Sequence, residues 1–583
     1  MKPVLLTAID LETFSFGPGN MAPRIVSVGS LGSDGNCLVE LPTVRVLRRL
    51  LRSPATLVGL FIAYDMLCAV NQFPELLPLV AIRYGNGTLV DLGMLHAVRS
   101  LALRGNPEEL SLLKLHPLHC PTSEVVLDKS EDSWRLRYAE LSETPIQQWP
   151  VKALQYAKDD VRATHEVGLE LRKKLPDSLW DEAARQSRHS FWLHAMSSWG
   201  MRLDQERVKQ LLAKLDLQQE ETVDRLKLQG LLSVTKKGTI HRHLKRAQEL
   251  VEGLCPEIDR TPTGKPKLDA VTLEKFQLEE LKDYQRYSEL EKKIALLRSW
   301  SRLGDNPLHP RFSLKSTGRT GSSPNVQNLP REGGFRECFV PRPGNVLLAA
   351  DYASLELHTL AQACLDLLGR SKLAESLNKG VDLHLQVAAQ ILSRPAEELD
   401  LADPEVKKAR QVAKDLNYGL PGGMGVERLA KSLGASFRRA AELKKAWHRA
   451  WPEMEEYFTV VRKAIDPSGS YSVRQLRTSR IRAGCSYTAA CNTYFQGLAA
   501  DGAKEAGWLL FRACYDRTFE DWQMPYARTY NFVHDEFLVE CPAELAEGYA
   551  PMLSQIMAVG MNQFVPDVPV SLPETKIMER WSK

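Results

Sequence analysis

Val346–Glu356, VLLAADYASLE, is the stretch from which the fold of this chain can be read. Five consecutive apolar residues, preceded by the turn-like pair Pro343-Gly344, predict a buried strand that carries Asp351 at its end. Beyond it Leu355, Leu357, Leu360 and Ala361 recur at helical spacing with Glu356 among them, so the acid stands where a strand gives way to a helix. About 180 residues further on, Phe532–Glu540, FVHDEFLVE, sets His534, Asp535 and Glu536 between two β-rich runs, the pattern of a hairpin with acids at its tight end. Singly, such acids are common in structural α/β units and solvated turns. Together, carboxylates from two strands of one sheet can hold two Mg²⁺ ions and stabilise the attacking and leaving oxygens of an in-line phosphoryl transfer.

The third piece is Arg410–Gly425, RQVAKDLNYGLPGGMG. Arg410, Lys414 and Tyr418 stand at i, i+4 and i+8, so a helix presents two cations and a ring on one face, a surface for a triphosphate and a base. DYASLELH, RQVAKDLNYG and VHDE, in this order, resemble motifs A, B and C of the family A DNA polymerases. Thr317–Pro330, TGRTGSSPNVQNLP, is similar to the family's primer-template-binding motif.

The resemblance implies an α/β multidomain protein: a ribonuclease H-like exonuclease domain over residues 1–185, then a right-hand polymerase domain over 186–583. In the latter the thumb covers about 205–303 and the fingers about 370–460, with motifs A and C in the palm. It further implies a template-directed polymerase that adds dNTPs to a primer 3′-hydroxyl, with two Mg²⁺ ions held by Asp351, Tyr352 and Asp535, and Glu536 accessory. By the same resemblance Arg410 and Lys414 neutralise phosphates, Tyr418 packs by the sugar and base, and Glu356 gates against a ribose 2′-hydroxyl. His384, in Asp382-Leu-His384, is either a phosphate contact or a satisfied structural histidine. Arg319, Gln327, Asn328 and His534 fall to the primer-template, the first three as donors to minor-groove acceptors, and Gln496 in NTYFQGLAAD joins them.

In the N-terminal part, VLLTAIDLET (4–13) predicts a strand with Asp10 and Glu12 on one face, and IVSVGSL a second strand beside it. LVGLFIAYD (57–65) is an apolar run ending in Asp65, and Tyr156 and Asp160 lie one helical turn apart. This set resembles the DEDD exonucleases of the Y-x₃-D subclass. It implies two divalent ions held by Asp10, Glu12, Asp65 and Asp160, with Tyr156 orienting water for 3′-to-5′ cleavage. Phe61 stands where those enzymes usually have Asn, which weakens the expected grip on a frayed primer strand.

The stretch SFWLHAMSSWGMRLD (190–204) resembles the helix that opens family A polymerase domains, and nothing before Asp10 resembles the family's 5′-nuclease, so flap cleavage is not expected. From Gln205 to Leu303 charged-apolar helices dominate, interrupted by expected loops at 233–238 and 260–265. Lys236, Lys237, Arg242, Lys245 and Arg246 read as solvated helix surface or as a thumb gripping duplex phosphates.

A formal charge of +4 over 583 residues confines basic surface to patches. The ten cysteines lack CxxC pairs, which favours reduced thiols in a cytoplasm, bacterial or that of an infected host, and argues against structural zinc. His116, His119 and Cys120 crowd together, but no fourth ligand of suitable spacing follows. No targeting segment or membrane span is read from the chain. Primer-template DNA and dNTPs are the implied partners; a processivity factor, a helicase or a primase are further ones that the residues do not specify.

Two rivals are a single-subunit RNA polymerase and a catalytically altered homologue that only binds primer-template. Glu356 and the exonuclease set speak against the first, retention of Asp351 and Asp535 against the second. One departure concerns the helix of Arg410. Where most relatives carry a second tyrosine beside the templating base, this chain has Gly422; Pro421 and the two glycines should end the helix around Leu420 and leave a looser templating pocket unless another side chain fills it.

Overall fold

The structure, a computed structural model, describes residues 5–130, 132–237, 239–261, 263–269, 272–273 and 281–582. Val4, Gly238 and Pro262, which fall in the expected first strand and two loops, lie outside the described residues. The chain divides into two compact units, one of Met1–Gly200, His309–Asn328 and Arg342–Glu579, the other of Met201–Leu308, Leu329–Pro341 and Arg580–Lys583.

The first unit opens with a five-stranded sheet of β1 (Leu6–Thr13), β2 (Ile25–Gly32), β3 (Cys37–Glu40), β4 (Thr56–Gly59) and β5 (Leu89–Asp91), in the order β3-β2-β1-β4-β5. β1 pairs antiparallel with β2, Asp10 opposite Gly29, and parallel with β4. Around the sheet lie α1 (Val44–Leu51), α2 (Ile62–Gln72), α3 (Leu77–Gly85), α4 (Leu92–Arg104), α5 (Leu112–His119), α6 (Val151–Lys174) and α7 (Asp177–Trp199). A Cβ at Gly29 would fall 2.6 Å from Val161 Cγ2, so the missing side chain is what lets α6 close onto β1 and β2 beside Asp160.

The run from Leu57 to Asp65 is not one strand. Phe61 adopts φ 54° with its N–H on Asp91 Oδ1 at 3.2 Å, which turns the chain out of β4 and starts α2, so Asp65 is presented by a helix.

The second unit is built on α8 (Gln205–Leu228) and α10 (Lys282–Ser301), with the hairpin of β6 (Leu232–Val234) and β7 (Ile240–Arg242) and with α9 (Leu244–Leu254). Asp204 caps α8 by accepting from Arg207 N at 3.0 Å, and Val223, Leu226, Tyr284 and Tyr287 share its core. Of the basic cluster, Arg242 is engaged by Ser288 and Glu291.

Within the first unit the chain then runs through the hairpin of β8 (Arg311–Leu314) and β9 (Thr320–Ser323) to β10 (Asn345–Asp351), the strand expected from VLLAAD. A helical region follows: α11 (Leu355–Leu368), α12 (Lys372–Asn378), α13 (Leu383–Leu392), α14 (Pro404–Gly419), α15 (Val426–Leu433), α16 (Phe437–Ala450) and α17 (Glu453–Lys463). After the hairpin of β11 (Tyr471–Arg474) and β12 (Ile481–Cys485) comes α18 (Tyr487–Tyr515), the longest described helix, then β13 (Arg528–Val533), β14 (Glu536–Pro542), α19 (Ala546–Asn562) and β15 (Thr575–Met578). The second sheet has the order β13-β14-β10-β15, all antiparallel, with α18 and α19 packed together beside it. No described helix is long and apolar enough to cross a membrane.

Candidate functional site

β10 and β14 pair so that Asp351 lies directly opposite Glu536, while Val533 opposite Glu536 leaves His534 and Asp535 as a two-residue turn. His534 takes φ 61°, and this left-handed residue folds the turn tightly enough to bring Asp535 back over the end of β10. Burial and then the charge of Asp351 push the Asp535 carboxyl up to about 7, with Arg319 opposing. Two acids in mutual repulsion in a half-dry turn are the environment a divalent cation relieves. Tyr352 is buried and its hydroxyl donates to Met557 O at 2.7 Å, so the ring is anchored away from any ligand role and only its main-chain carbonyl is left for one.

Glu356, in the first turn of α11, is ion-paired with the guanidinium of Arg319. Arg319, Gln327, Asn328 and His534 line one cavity of about 310 Å³ together with Lys315 and Thr317. Gln327 is buried there, and its Nε2 donates to Thr320 Oγ1 and to Phe532 O, both at 2.9 Å. Its donors are thus engaged inside the protein, whereas the sequence reading presented them to a minor groove. Gln496 lies on α18 next to Gly497, whose Cβ position is 3.2 Å from Thr317 O.

α14 carries the third group. Arg410 Nε donates to Asp382 Oδ2 at 2.8 Å, and Asp382 also caps α13 by accepting from the His384 and Leu385 amides. Burial raises the Asp382 carboxyl, but those amides and Arg410 outweigh it and hold it below its ordinary range. Lys414 is exposed, and Tyr418 is 40% exposed with its ring 5.9 Å from that of His384.

His384 is buried and accepts at Nδ1 from Asn417 Nδ2 at 3.0 Å, and burial lowers its pKa. Asn417 Oδ1 in turn accepts from the indoles of Trp447 and Trp451 at 2.9 and 3.0 Å. This buried hub, which fixes the helix of Arg410 against α13 and α16, escaped the sequence reading; an Asn inside a helix beside functional residues was the available signal.

α14 ends at Gly419 and gives way to a short 3-10 turn over Leu420–Gly422, with Gly423 at φ 75°, where the proline and glycines were expected to stop it. A Cβ at Gly423 would stand 2.9 Å from Tyr487 Cε1, and one at Gly422 would stand 2.9 Å from Asn492 Oδ1. The ring of Tyr487, at the start of α18, packs against Gly423, and Asn492 of the same helix stands against Gly422. A cavity of about 410 Å³ opens beside it, lined by Lys444, His448, Glu455, Thr459 and Arg462.

On the first sheet, Asp10, Glu12 and Asp160 offer ligand atoms within 4.8 Å of one another. Asp65 is held beside them by Leu11 N, which donates to its Oδ1 at 3.1 Å. Burial, then the charge of Asp160, pushes Asp10 up to about 7; burial, then Asp10, raises Glu12 and Asp65 as well. Glu12 Oε1 is buried without a hydrogen-bond partner, an acceptor aimed into the cluster with nothing to bind. Lys129 is the residue the sequence did not single out. Its ammonium forms a short ion pair with Asp160, donates to the Tyr156 hydroxyl at 2.6 Å and lies 4.5 Å from the centre of that ring. Phe61 exposes its ring, over which Arg311 stands at 5.6 Å.

A buried carboxylate cluster beside a five-stranded sheet and a second, partly exposed acidic group at the turn of an antiparallel sheet, near the helix of Arg410 and Lys414, give this α/β protein two acidic centres. Residues 211–583 match the profile described as DNA polymerase family A, and the chain belongs to that family. It is 30% identical over 338 residues to DNA polymerase I of Aquifex aeolicus, covering 56% of this chain and 55% of that one. It is 26% identical over 429 residues to the thermostable DNA polymerase I of Thermus aquaticus, covering 66% of this chain and 48% of that one. The chain thus spans about half the length of these two relatives. The solved POL domain of Pol1 from M. smegmatis, in complex with DNA primer-template and dNTP, shares the fold at a TM-score of 0.71 and 19% identity, over 99% of this chain and 96% of that one.

Proposed function

We propose that this protein is a template-directed DNA polymerase that extends a primer 3′-hydroxyl with dNTPs, and that its first sheet carries a 3′-to-5′ exonuclease. The reading rests on the register that sets Asp351 opposite Glu536 with Asp535 in the adjoining turn, in a chain of this family. Primer-template and dNTP, named for the M. smegmatis relative, are the ligands proposed here.

The residues fit Mg²⁺: Asp351, exposed at the end of β10, and the partly buried Asp535 in the adjoining turn repel one another, and the first sheet leaves a carboxylate oxygen of Glu12 unpartnered. When bound there, the ion supplies neutralisation of phosphate charge and activation of the attacking oxygen. Asp351, Asp535 and the main chain at Tyr352 would hold it in the second sheet; Asp10, Glu12, Asp65 and Asp160 would hold it in the first. Arg410 and Lys414 bind the triphosphate, with charge-assisted contacts worth roughly 1.5–3 kcal/mol each. Tyr418 packs on the incoming nucleoside, Glu356 excludes a 2′-hydroxyl, and Arg319, Asn328 and His534 line the primer-template side.

Primer extension with dNTPs, with rNTPs and with EDTA tests the reading. Extension with dNTPs alone, abolished by EDTA and lowered by ~4 kcal/mol of barrier, or a thousandfold or more, in Asp351→Asn is expected. Efficient rNTP extension or no extension at all would overturn it.

A further inference from the structure

We propose that His116, Cys120 and Glu166 form a thiolate-containing transition-metal site, of the kind that takes Zn²⁺, which ties the end of α5 to α6. The three ligand atoms lie within 4.8 Å of one another in the structure. They arise from two elements: His116 and Cys120 stand one turn apart at the end of α5, and Glu166 projects from α6. His116 Nε2 and Glu166 Oε2 already meet at 2.8 Å.

In the sequence His119 stands close to His116 and Cys120, as if one of the same group. It is not: its Nε2 faces His96 Nδ1 at 3.1 Å, and the third donor comes from a residue some fifty positions away. Imidazole, thiolate and carboxylate together make a borderline-soft donor set, which suits Zn²⁺ and neither Mg²⁺ nor Ca²⁺.

Ordinary Zn–N, Zn–O and Zn–S lengths of roughly 2.0–2.3 Å put tetrahedral ligand atoms somewhat over 3 Å apart, so the His116–Glu166 pair need open only by a fraction of an ångström. His116 is buried while Cys120 and Glu166 are partly exposed, which leaves an entry path and room for a water as fourth ligand. On binding, the Cys120 thiol releases its proton to solvent and the sulfur takes up the metal as thiolate. The site differs from the carboxylate cluster of Asp10, Glu12 and Asp160 in having a sulfur, and this makes it spectroscopically separable.

The full chain, stripped with chelator, is titrated with Zn²⁺ and separately with Co²⁺. One equivalent of Co²⁺ giving a thiolate-to-cobalt charge-transfer band, displaced by Zn²⁺, is expected. Cys120→Ser should remove the band, and both Cys120→Ser and the surface variant Glu166→Gln should weaken Zn²⁺ binding roughly tenfold or more. Glu12→Gln should leave the band unchanged. A rise in thermal midpoint with Zn²⁺ in the parent chain, absent in Cys120→Ser, is the companion readout. Absence of a thiolate band, or a band that survives Cys120→Ser, overturns the proposal, as does Zn²⁺ binding that only Glu12→Gln removes.

Discussion

Arg319 and Glu356 are joined as an ion pair, so a side chain expected at the primer-template and one expected at the sugar of the incoming nucleotide restrain each other. Glu356→Ala is therefore expected to raise the ratio of rNTP to dNTP insertion. Arg319→Ala should raise it less, by releasing the carboxylate from its anchor. Steady-state insertion across one template base measures both. Effects that simply add in the double variant would separate the two residues.

At the first sheet, Lys129 competes as an internal cation for Asp160. Lys129→Met should lower the Mg²⁺ concentration needed for half-maximal digestion of a single-stranded 3′ end, while Asp10→Ala with Glu12→Ala eliminates that digestion and leaves extension intact. Metal titrations of both variants on a labelled single strand provide the check. A higher metal requirement in Lys129→Met would instead assign the ammonium to the substrate.

Tyr487 packs against Gly423, one residue beyond the position where the family's tyrosine is absent. In a background with Asp10→Ala and Glu12→Ala, Tyr487→Ala is expected to raise misinsertion by roughly tenfold, the effect of ~1.4 kcal/mol of lost discrimination. Gly423→Ala should act through two faults, a positive φ that a Cβ disfavours and a collision with the same ring. Single-nucleotide misinsertion frequencies decide; unchanged fidelity in Tyr487→Ala would remove the ring from the pocket.

A buried charge cluster gives a pH signature. Burial pulls Lys504 down to about 7, against the attraction of Asp501, while its ammonium donates to Gln186 Oε1 at 2.6 Å. The unfolded chain keeps this lysine protonated up to about 10.4, so between about 7 and 10 the unfolded state holds more protons and stability rises with pH. Relative to Lys504→Met, the parent chain should gain stability across that window at up to ~1.4 kcal/mol per pH unit. Denaturant midpoints at pH 7 and pH 9.5 for both chains test it, and parallel shifts would exclude Lys504 as the source.

Asp501 is the acid on which that cluster depends. Burial raises its carboxyl, but Arg185 and Arg480 outweigh burial and hold it low. Asp501→Asn leaves two guanidiniums to share the single carboxylate of Glu182 and should cost about 3–5 kcal/mol of stability, seen as a fall in thermal midpoint.

What could be read from the sequence was what is local. The strand of Asp351, the hairpin of Asp535, the helix face of Arg410, Lys414 and Tyr418 and its stop before Gly423 all follow from period, turn chemistry and proline. Through-space partners were hidden because nothing in spacing announces them: Lys129 beside Asp160, Tyr487 beside Gly423, Glu166 beside His116. The split of Leu57–Asp65 into strand and helix was masked by unbroken hydrophobicity, since the turn at Phe61 is set by a hydrogen bond from its backbone N–H to Asp91 Oδ1 rather than by a glycine or proline.

α7 shows how the two centres are joined. Glu182 and Arg185 on this helix close a largely buried charge set with Arg480 and Asp501, Arg188 pairs with Glu505, and Trp192 fills the space that Gly507 leaves on α18. A cut near residue 185, the boundary expected from the family resemblance, would hand each fragment half of an ionic lock that only the other can neutralise. The first sheet is therefore less a detachable cartridge than a retaining wall of the second sheet. Its acids could be silenced one by one and the slab would still be needed to keep the second centre upright.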